Sequence, residues 1–167
     1  MKLYYATFKS PVGEILVTRT DKGLNFITFP KSRWHRFLAA LRKDQSITLK
    51  KDEKKFSSLK KDLKNYFSGK KVSFRQPLDL SGGTPFQKRV WKAMQRIPPG
   101  QTKSYGWLAR QAGGRNKARA AGAACGANPI PIVVPCHRVV RSDGGLGGYG
   151  GGLAAKRKLL SIEKAAI

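Results

Sequence analysis

Ser81-Gly82-Gly83 is the best boundary in the chain, and the strands confined to the stretch before it limit the folds open to the whole. Before it, β-branched and aromatic residues cluster in short runs: Lys2 to Phe8, Glu14 to Thr20 and Leu24 to Phe29. Ser10-Pro11-Val12-Gly13 and Asp21-Lys22-Gly23 stand between them as turns. Runs of this length, so bounded, predict a three-stranded antiparallel meander. Two helices follow. Ser32 is the expected cap of the first, with Trp34, Phe37, Leu38 and Leu41 on one face. The second carries Phe56, Leu59, Leu63, Tyr66 and Phe67 at helical spacing and ends at Gly69. Lys50-Lys51 and Lys54-Lys55 fall on its polar side or just before it. This half holds no catalytic constellation, so a scaffold role is expected of it.

After the break the pattern is helical. Thr84-Pro85-Phe86-Gln87 combines a cap, a first-turn proline and a capping-box glutamine. Phe86, Val90, Ala93, Met94 and Ile97 form the buried stripe, and Pro98-Pro99-Gly100 stops the helix. Ser104 can cap a helix over residues 105–112, and Asn116 another over 117–127, with Gly113-Gly114 between them. Two short helices on a glycine turn are a helix-turn-helix signature, whose second helix normally enters a DNA groove. Here that helix is almost bare: Ala118, Ala120, Gly122 and Ala123 flank Arg119, the one side chain long enough to reach base edges. Small residues let a helix backbone approach a surface closely; they equally serve close helix packing. A last helix, 153–165, packs through Leu153, Leu159, Leu160 and Ile162 and carries Glu163. The expected class is α+β, with residues 1–80 a small antiparallel sheet with helices and residues 81–167 a helical domain with the helix-turn-helix.

Charge narrows the partner. The 167 residues carry a net charge of +25. An excess of this size points to a polyanion, most simply nucleic acid, although a solubility adaptation would produce the same composition. No long apolar span or basic amphipathic anchor favours a membrane. Met1-Lys2-Leu3-Tyr4-Tyr5 enters a strand pattern at once, so no signal peptide is expected. Cys125 and Cys136 form no disulfide framework, and His35 and His137 do not complete a zinc set with them. No metal or cofactor is expected. A reducing compartment, cytoplasm with nucleoid or a nucleus, suits a chain with free thiols.

Cys136 is the candidate nucleophile. It follows the apolar run Ile130-Pro131-Ile132-Val133-Val134, read as a buried strand or tight extended segment, and precedes His137 and Arg138. The thiolate is the reactive form, and neighbouring positive charge lowers a thiol pKa. A lone cysteine after an apolar run can also be inert packing. The glycine-rich stretch 144–152, interrupted by Leu146 and Tyr149, allows close backbone approach to a ligand but lacks the ending of a phosphate loop.

The ordered series Thr84-Pro85-Phe86-Gln87, Ser104-Tyr105, Arg119-Ala120-Ala121-Gly122, Asn128-Pro129, Pro135-Cys136-His137-Arg138-Val139, Gly148-Tyr149-Gly150-Gly151 and Lys156 to Glu163 resembles the O6-alkylguanine-DNA alkyltransferases. The resemblance covers roughly the C-terminal half. The first 80 residues are similar only in style to the family's ribonuclease H-like N-terminal domain. It implies direct, irreversible transfer of an alkyl group from O6-alkylguanine, possibly O4-alkylthymine, in DNA to Cys136. The damaged nucleotide is flipped out of the duplex, because its reacting atom is unreachable inside it.

The resemblance also implies residue roles. His137 acts as base through a water and Glu163 orients it. Tyr105 crowds the target phosphate and assists proton transfer. Arg119 fills the hole in the stack, while Ser104 and the bare helix lie along the minor groove. Asn128 is a hinge residue. The backbone of Cys136 and Val139 faces the guanine amino group, and the backbone near Tyr149 and Gly150 donates to its oxygen. Cys125, Gly147, Gly148, Gly150 and Gly151 are small, and Pro131 and Tyr149 offer apolar faces, so the pocket is expected to take a benzyl group. Gly150 stands where some relatives have serine, and the N-terminal half lacks the cysteines of zinc-binding relatives. Double-stranded DNA is the implied partner and the protein is expected to act as a monomer. An alkylguanine-sensing DNA-binding protein that recruits other repair factors, and a cysteine hydrolase, are the alternative classes.

Overall fold

Strands β1 (Lys2–Phe8), β2 (Ile15–Arg19) and β3 (Leu24–Thr28) form the antiparallel meander that the turns foretold. The computed structural model describes residues 1–166, apart from the side chain of Ser32. A fourth strand, β4 (Thr48–Lys51), pairs parallel with β1, giving the order β3-β2-β1-β4. Lys50 and Lys51 thus belong to an edge strand, and the three-stranded expectation is corrected. The reason is that β4 has one apolar residue, Leu49, and three polar ones. Edge strands tolerate lysine, which also discourages pairing with another chain.

Helix α1 (Lys31–Lys43) begins directly after Pro30, which holds the cap position. Ser32 therefore lies inside its first turn, and the cap expected of its side chain falls outside the described atoms. A 3₁₀ turn (Glu53–Phe56) leads into α2 (Ser57–Phe67), which buries Leu59, Leu63 and Tyr66. Ala6, Phe8, Ile15 and Val17 are buried on one face of the sheet, where Lys60 of α2 lies over the Phe8 ring, and Leu3 is buried on the other. The following segment returns along β3: Leu24 N donates to Pro77 O at 2.8 Å and Asp79 N to Leu24 O at 2.6 Å. A side chain at Gly23 would strike Pro77 O at 2.3 Å, so glycine is required at this crossing.

Residues Met1–Asp79 and Leu80–Ile167 form two compact units. In the second, α3 (Pro85–Met94) has the complete capping box, with Thr84 and Gln87 satisfying each other's backbone N–H. It packs with α4 (Tyr105–Gln111), capped by Ser104, and α5 (Ala118–Gly126). Trp91 Nε1 donates to Ala124 O at 2.8 Å and Arg89 Nε to Ala112 O at 2.9 Å. Asn116 does not cap α5. A turn closed by Lys117 N on Gly114 O places Lys117 at the cap position, with no side-chain cap bond. Helix α6 (Leu153–Ile162) buries Ala155, Lys156, Leu159 and Leu160, but Leu153 is exposed, contrary to expectation. Glu163 caps its C-terminus, so the helix is shorter than foreseen. Two-residue strands β5 (Lys103–Ser104) and β6 (Val139–Val140) pair in parallel and tie the start of α4 to the residues after Cys136. Among the described residues no helix is long and apolar enough to cross a membrane.

Candidate active site around Cys136

Residues 130–134 are almost wholly buried, yet they form a tight turn and not a strand in a sheet. Val134 N donates back to Ile130 O at 2.9 Å, and Ile132 takes a φ of 75°. That is a strained backbone for a β-branched residue. Asn128 holds the turn: its Nδ2 donates to Val134 O at 2.7 Å and its Oδ1 accepts from Ile130 N at 3.0 Å. The residue expected as a hinge therefore clasps the end of α5 to the turn that delivers the thiol. Alternation of apolar residues could not foretell this, because the run is uniformly apolar. Cys136–Arg138 follow as a single 3₁₀ turn with all three residues buried.

That turn aims two side chains at one carboxylate. His137 Nε2 lies 2.7 Å from Glu163 Oε1. Arg138 straddles the same group, with Nε 3.0 Å from Oε2 and Nη2 2.8 Å from Oε1, while its Nη1 donates to Ile97 O at 2.6 Å. The backbone N–H of Gly100 adds a longer bond to Oε2 at 3.3 Å. The Glu163 side chain is 2% exposed and that of His137 0%. Burial raises the Glu163 pKa, but the hydrogen bonds and charges of His137 and Arg138 outweigh it and hold the carboxyl well below its ordinary range. Burial pushes the His137 pKa down against the pull of Glu163, and Arg138 and Lys156 push the same way. A neutral imidazole facing a carboxylate must carry its proton on Nε2, which leaves Nδ1 as the basic nitrogen.

The thiol itself corrects one expectation. Neighbouring positive charge was expected to lower its pKa, but burial pushes the Cys136 thiol up. Arg138 is spent on Glu163, and Asn128, Lys156 and backbone N–H groups lower the thiol only in part. At rest it is protonated and needs a base. Lys156 is the residue that motif reading undervalued. It is completely buried. Its ammonium donates to Val139 O at 2.7 Å, to Gly148 O at 3.3 Å and to Leu146 O. It thus fastens the glycine-rich stretch to the residues after Cys136 and brings the cation that stabilises a thiolate there. A lysine among apolar residues on one helix face was the available signal.

Tyr105 opens α4 and fills the space left by two glycines. A side chain on Gly147 would meet its hydroxyl at 2.6 Å, and one on Gly122 its ring at 3.6 Å. Burial, with the Cys125 and Cys136 thiols behind it, pushes the Tyr105 hydroxyl up to about 12, so it stays a proton donor. Ala118, Arg119, Ala120 and Ala123 form an exposed face of α5, while Ala121, Ala124 and Cys125 are buried. The Cys125 sulfur lies 4.0 Å from Cys136 O, and burial raises its pKa. Val139 O, offered to a guanine amino group by resemblance, already accepts from Lys156 and keeps its second lone pair. Pro131 is half-buried in the turn; Tyr149 and Gly151 are half-buried and Gly150 exposed in the stretch held by Lys156.

Residues 85–165 match the family model for the 6-O-methylguanine DNA methyltransferase DNA binding domain, and residues 3–80 that for its ribonuclease-like domain. The chain is 38% identical over 161 residues to the methylated-DNA–protein-cysteine methyltransferase of Methanosarcina acetivorans, covering 96% of this chain and 98% of the relative. It is 41% identical over 167 residues to that of Mycobacterium bovis, covering 97% and 93%. The crystal structure of Mycobacterium tuberculosis OGT in complex with DNA superposes with a TM-score of 0.81 at 40% identity, covering 98% of this chain and 93% of that one.

Proposed function

The chain belongs to the methylated-DNA–protein-cysteine methyltransferase family, a repair activity acting by direct alkyl transfer, and we propose that Cys136 is its acceptor, used once. The thiol proton passes to His137 Nδ1 through a water, and Glu163 stabilises the imidazolium that forms. The sulfur attacks the alkyl carbon of O6-alkylguanine, the carbon–oxygen bond breaks, and the electron pair leaves with the guanine oxygen. Tyr105, kept protonated by a pKa pushed up to about 12, hydrogen-bonds the departing base and passes it a proton, recovering one from solvent as the imidazolium of His137 releases the thiol's proton to solvent. Lys156 stabilises the thiolate in transit by its charge, and the carbonyls of Val139, Leu146 and Gly148 hold the ammonium in place. The product is a thioether, which ordinary thiol exchange does not cleave, so each molecule acts once. The observation that carries this reading is the buried His137–Glu163 bond in the residue directly following a buried thiol.

DNA is the substrate carrier. The exposed, nearly bare face of α5 fits the minor groove, Arg119 occupies the stack, and the alkylated nucleotide is turned out toward Cys136. Ser104 holds the N-terminus of α4 and with it Tyr105. Residues 81–167 carry this chemistry as a monomer, in whichever compartment holds the DNA, and residues 1–80 support them. Intact-protein mass spectrometry after incubation with a duplex containing O6-methylguanine tests the acceptor. The protein should gain one methyl group and Cys136→Ala none, while the variant still binds the duplex. A methyl gain by the variant would overturn the assignment.

A further inference from the structure

The positive charge of this protein is not confined to the unit that carries Cys136. Residues 1–79 hold 19 Lys and Arg against seven Asp and Glu, a net of +12. Strand register gathers part of that charge in one place. Tyr4 on β1 stands opposite Arg19 on β2 and opposite Lys50 on β4, so the three side chains leave the same face of the sheet side by side. Lys2 leaves that face two residues earlier, and its ammonium lies 6.0 Å from the Tyr4 ring centre. The Lys55 ammonium, from the 3₁₀ turn, lies 4.4 Å from the same ring centre. Arg19 is steadied by the carbonyls of Thr20 and Lys55, each at 3.3 Å. Four cations thus gather about one tyrosine, and Lys2, Lys50 and Lys55 are exposed.

Nothing in the unit neutralises them. None of the four is in an ion pair among the described residues. The acids are committed elsewhere: Glu14 pairs with Lys31 and Glu53 with Lys51. Asp44, Asp62 and Asp79 accept from the side chains of Ser46, Gln76 and Thr20. Asp52, between Lys50 and Lys55 in sequence, turns its carboxylate to the Lys55 backbone N–H and caps the 3₁₀ turn. Crowded like charges repel one another, and the Tyr4 ring offsets only part of that cost. Protection of an edge strand accounts for Lys50 but not for Lys2, Arg19 or Lys55.

We propose that this patch binds the phosphodiester backbone of DNA, a contact with the substrate carrier outside the helix-turn-helix. The cations are spread over three strands, ~10 Å from first to last. A small anion would engage one or two of them, whereas a chain of phosphates engages them all and releases their counterions. Three of the four are lysines, which hold phosphate as point charges and read no bases. Among the described residues Met1 is the one exposed large hydrophobic residue of this unit, so a lipid surface would find no apolar face to hold. The proposal rests on DNA as the partner and not on Cys136 as the acceptor.

The test is the salt dependence of binding to a fluorescein-labelled, undamaged duplex, read by anisotropy on the full chain. Each neutralised phosphate contributes about −0.9 to the slope of log affinity against log salt. Lys50→Gln with Lys55→Gln should make the slope shallower by about 1.8 and weaken binding roughly tenfold at about 0.1 M salt. Lys9→Gln with Arg36→Gln removes the same charge away from the patch. Lys9 follows the far end of β1, and Arg36 is on α1, whose Phe37 stacks on Phe26 at the opposite face of the sheet. This control should keep the native slope. Labelling by free O6-benzylguanine and the unfolding midpoint should be native in both variants; if the midpoint falls in the first, Lys2→Gln with Lys50→Gln takes its place with the same expectation. Cys136→Ala should keep the native slope too, so a failed acceptor assignment leaves this test standing. An unchanged slope in the patch variant, an equal change in the control, or patch-dependent binding to phosphatidylserine vesicles with duplex affinity unmoved would each overturn the proposal.

Discussion

Glu163→Gln tests the core of the candidate active site, because the substitution keeps shape and removes charge. Glu163 accepts from His137 Nε2, from Arg138 through Nε and Nη2, and from Gly100 N. The amide would turn an NH2 donor toward one of these donors, and would leave the buried Arg138 without its counter-charge. Removing one partner of a buried pair costs about 3–5 kcal/mol. At roughly 2–4 °C per kcal/mol for a chain of this size, the unfolding midpoint should drop by about 6–20 °C. Acidification supplies a second reading. The folded Glu163 pKa lies below its ordinary 4.5, so its contribution is complete above that pH and is lost as pH falls toward the folded value. The folded His137 pKa lies below its ordinary 6.5, so its burial costs stability as pH falls below that value. Calorimetry of the native chain should show both losses, and Glu163→Gln should lack the one below pH 4.5. Methyl transfer should slow as well, since the imidazolium loses its stabiliser. A variant within about 1 kcal/mol of the native chain, with native pH dependence and native transfer rate, would refute the argument that Glu163 is the buried anchor.

Lys156→Met removes the cation that lowers the thiol pKa, so the thiol rises further and the thiolate fraction at a given pH falls. The rate of Cys136 labelling by free O6-benzylguanine should drop more at neutral than at alkaline pH; a uniform drop would leave Lys156 a purely structural role. Arg119→Ala should slow repair in duplex DNA much more than reaction with the free base, because its work is to offset lost stacking of a few kcal/mol. Equal losses on both substrates would remove that role. Thr84→Ala breaks the capping box of α3 and should cost about 1 kcal/mol in thermal unfolding. Single-turnover methyl transfer should stay at the native rate, and a large loss there would mean that α3 positions the reacting groups.

Local signals were enough for much of this protein. The meander of β1 to β3, the capping box at Thr84, the Ser104 cap and the stripe of α3 were legible because each depends on neighbours within one turn or one hairpin. The ordered motifs also held Tyr105, Asn128, Lys156 and Glu163, which the fold brings to the surroundings of Cys136 and His137. Strand β4 was not legible, since an edge strand rich in lysine gains its pairing from β1, far away in sequence. Nor was the turn at Ile132, because a uniformly apolar run has no period to separate turn from strand. Adjacency in sequence placed His137 and Arg138 beside the thiol; the 3₁₀ turn instead commits both to Glu163, and burial raises the thiol that charge was expected to lower. The charge that does stabilise a thiolate comes from Lys156, twenty residues on, whose ammonium three backbone carbonyls hold in place. Residue identity determined which groups are available, and only tertiary burial decided their protonation, because desolvation depends on everything packed around a group and not on its neighbours in the chain.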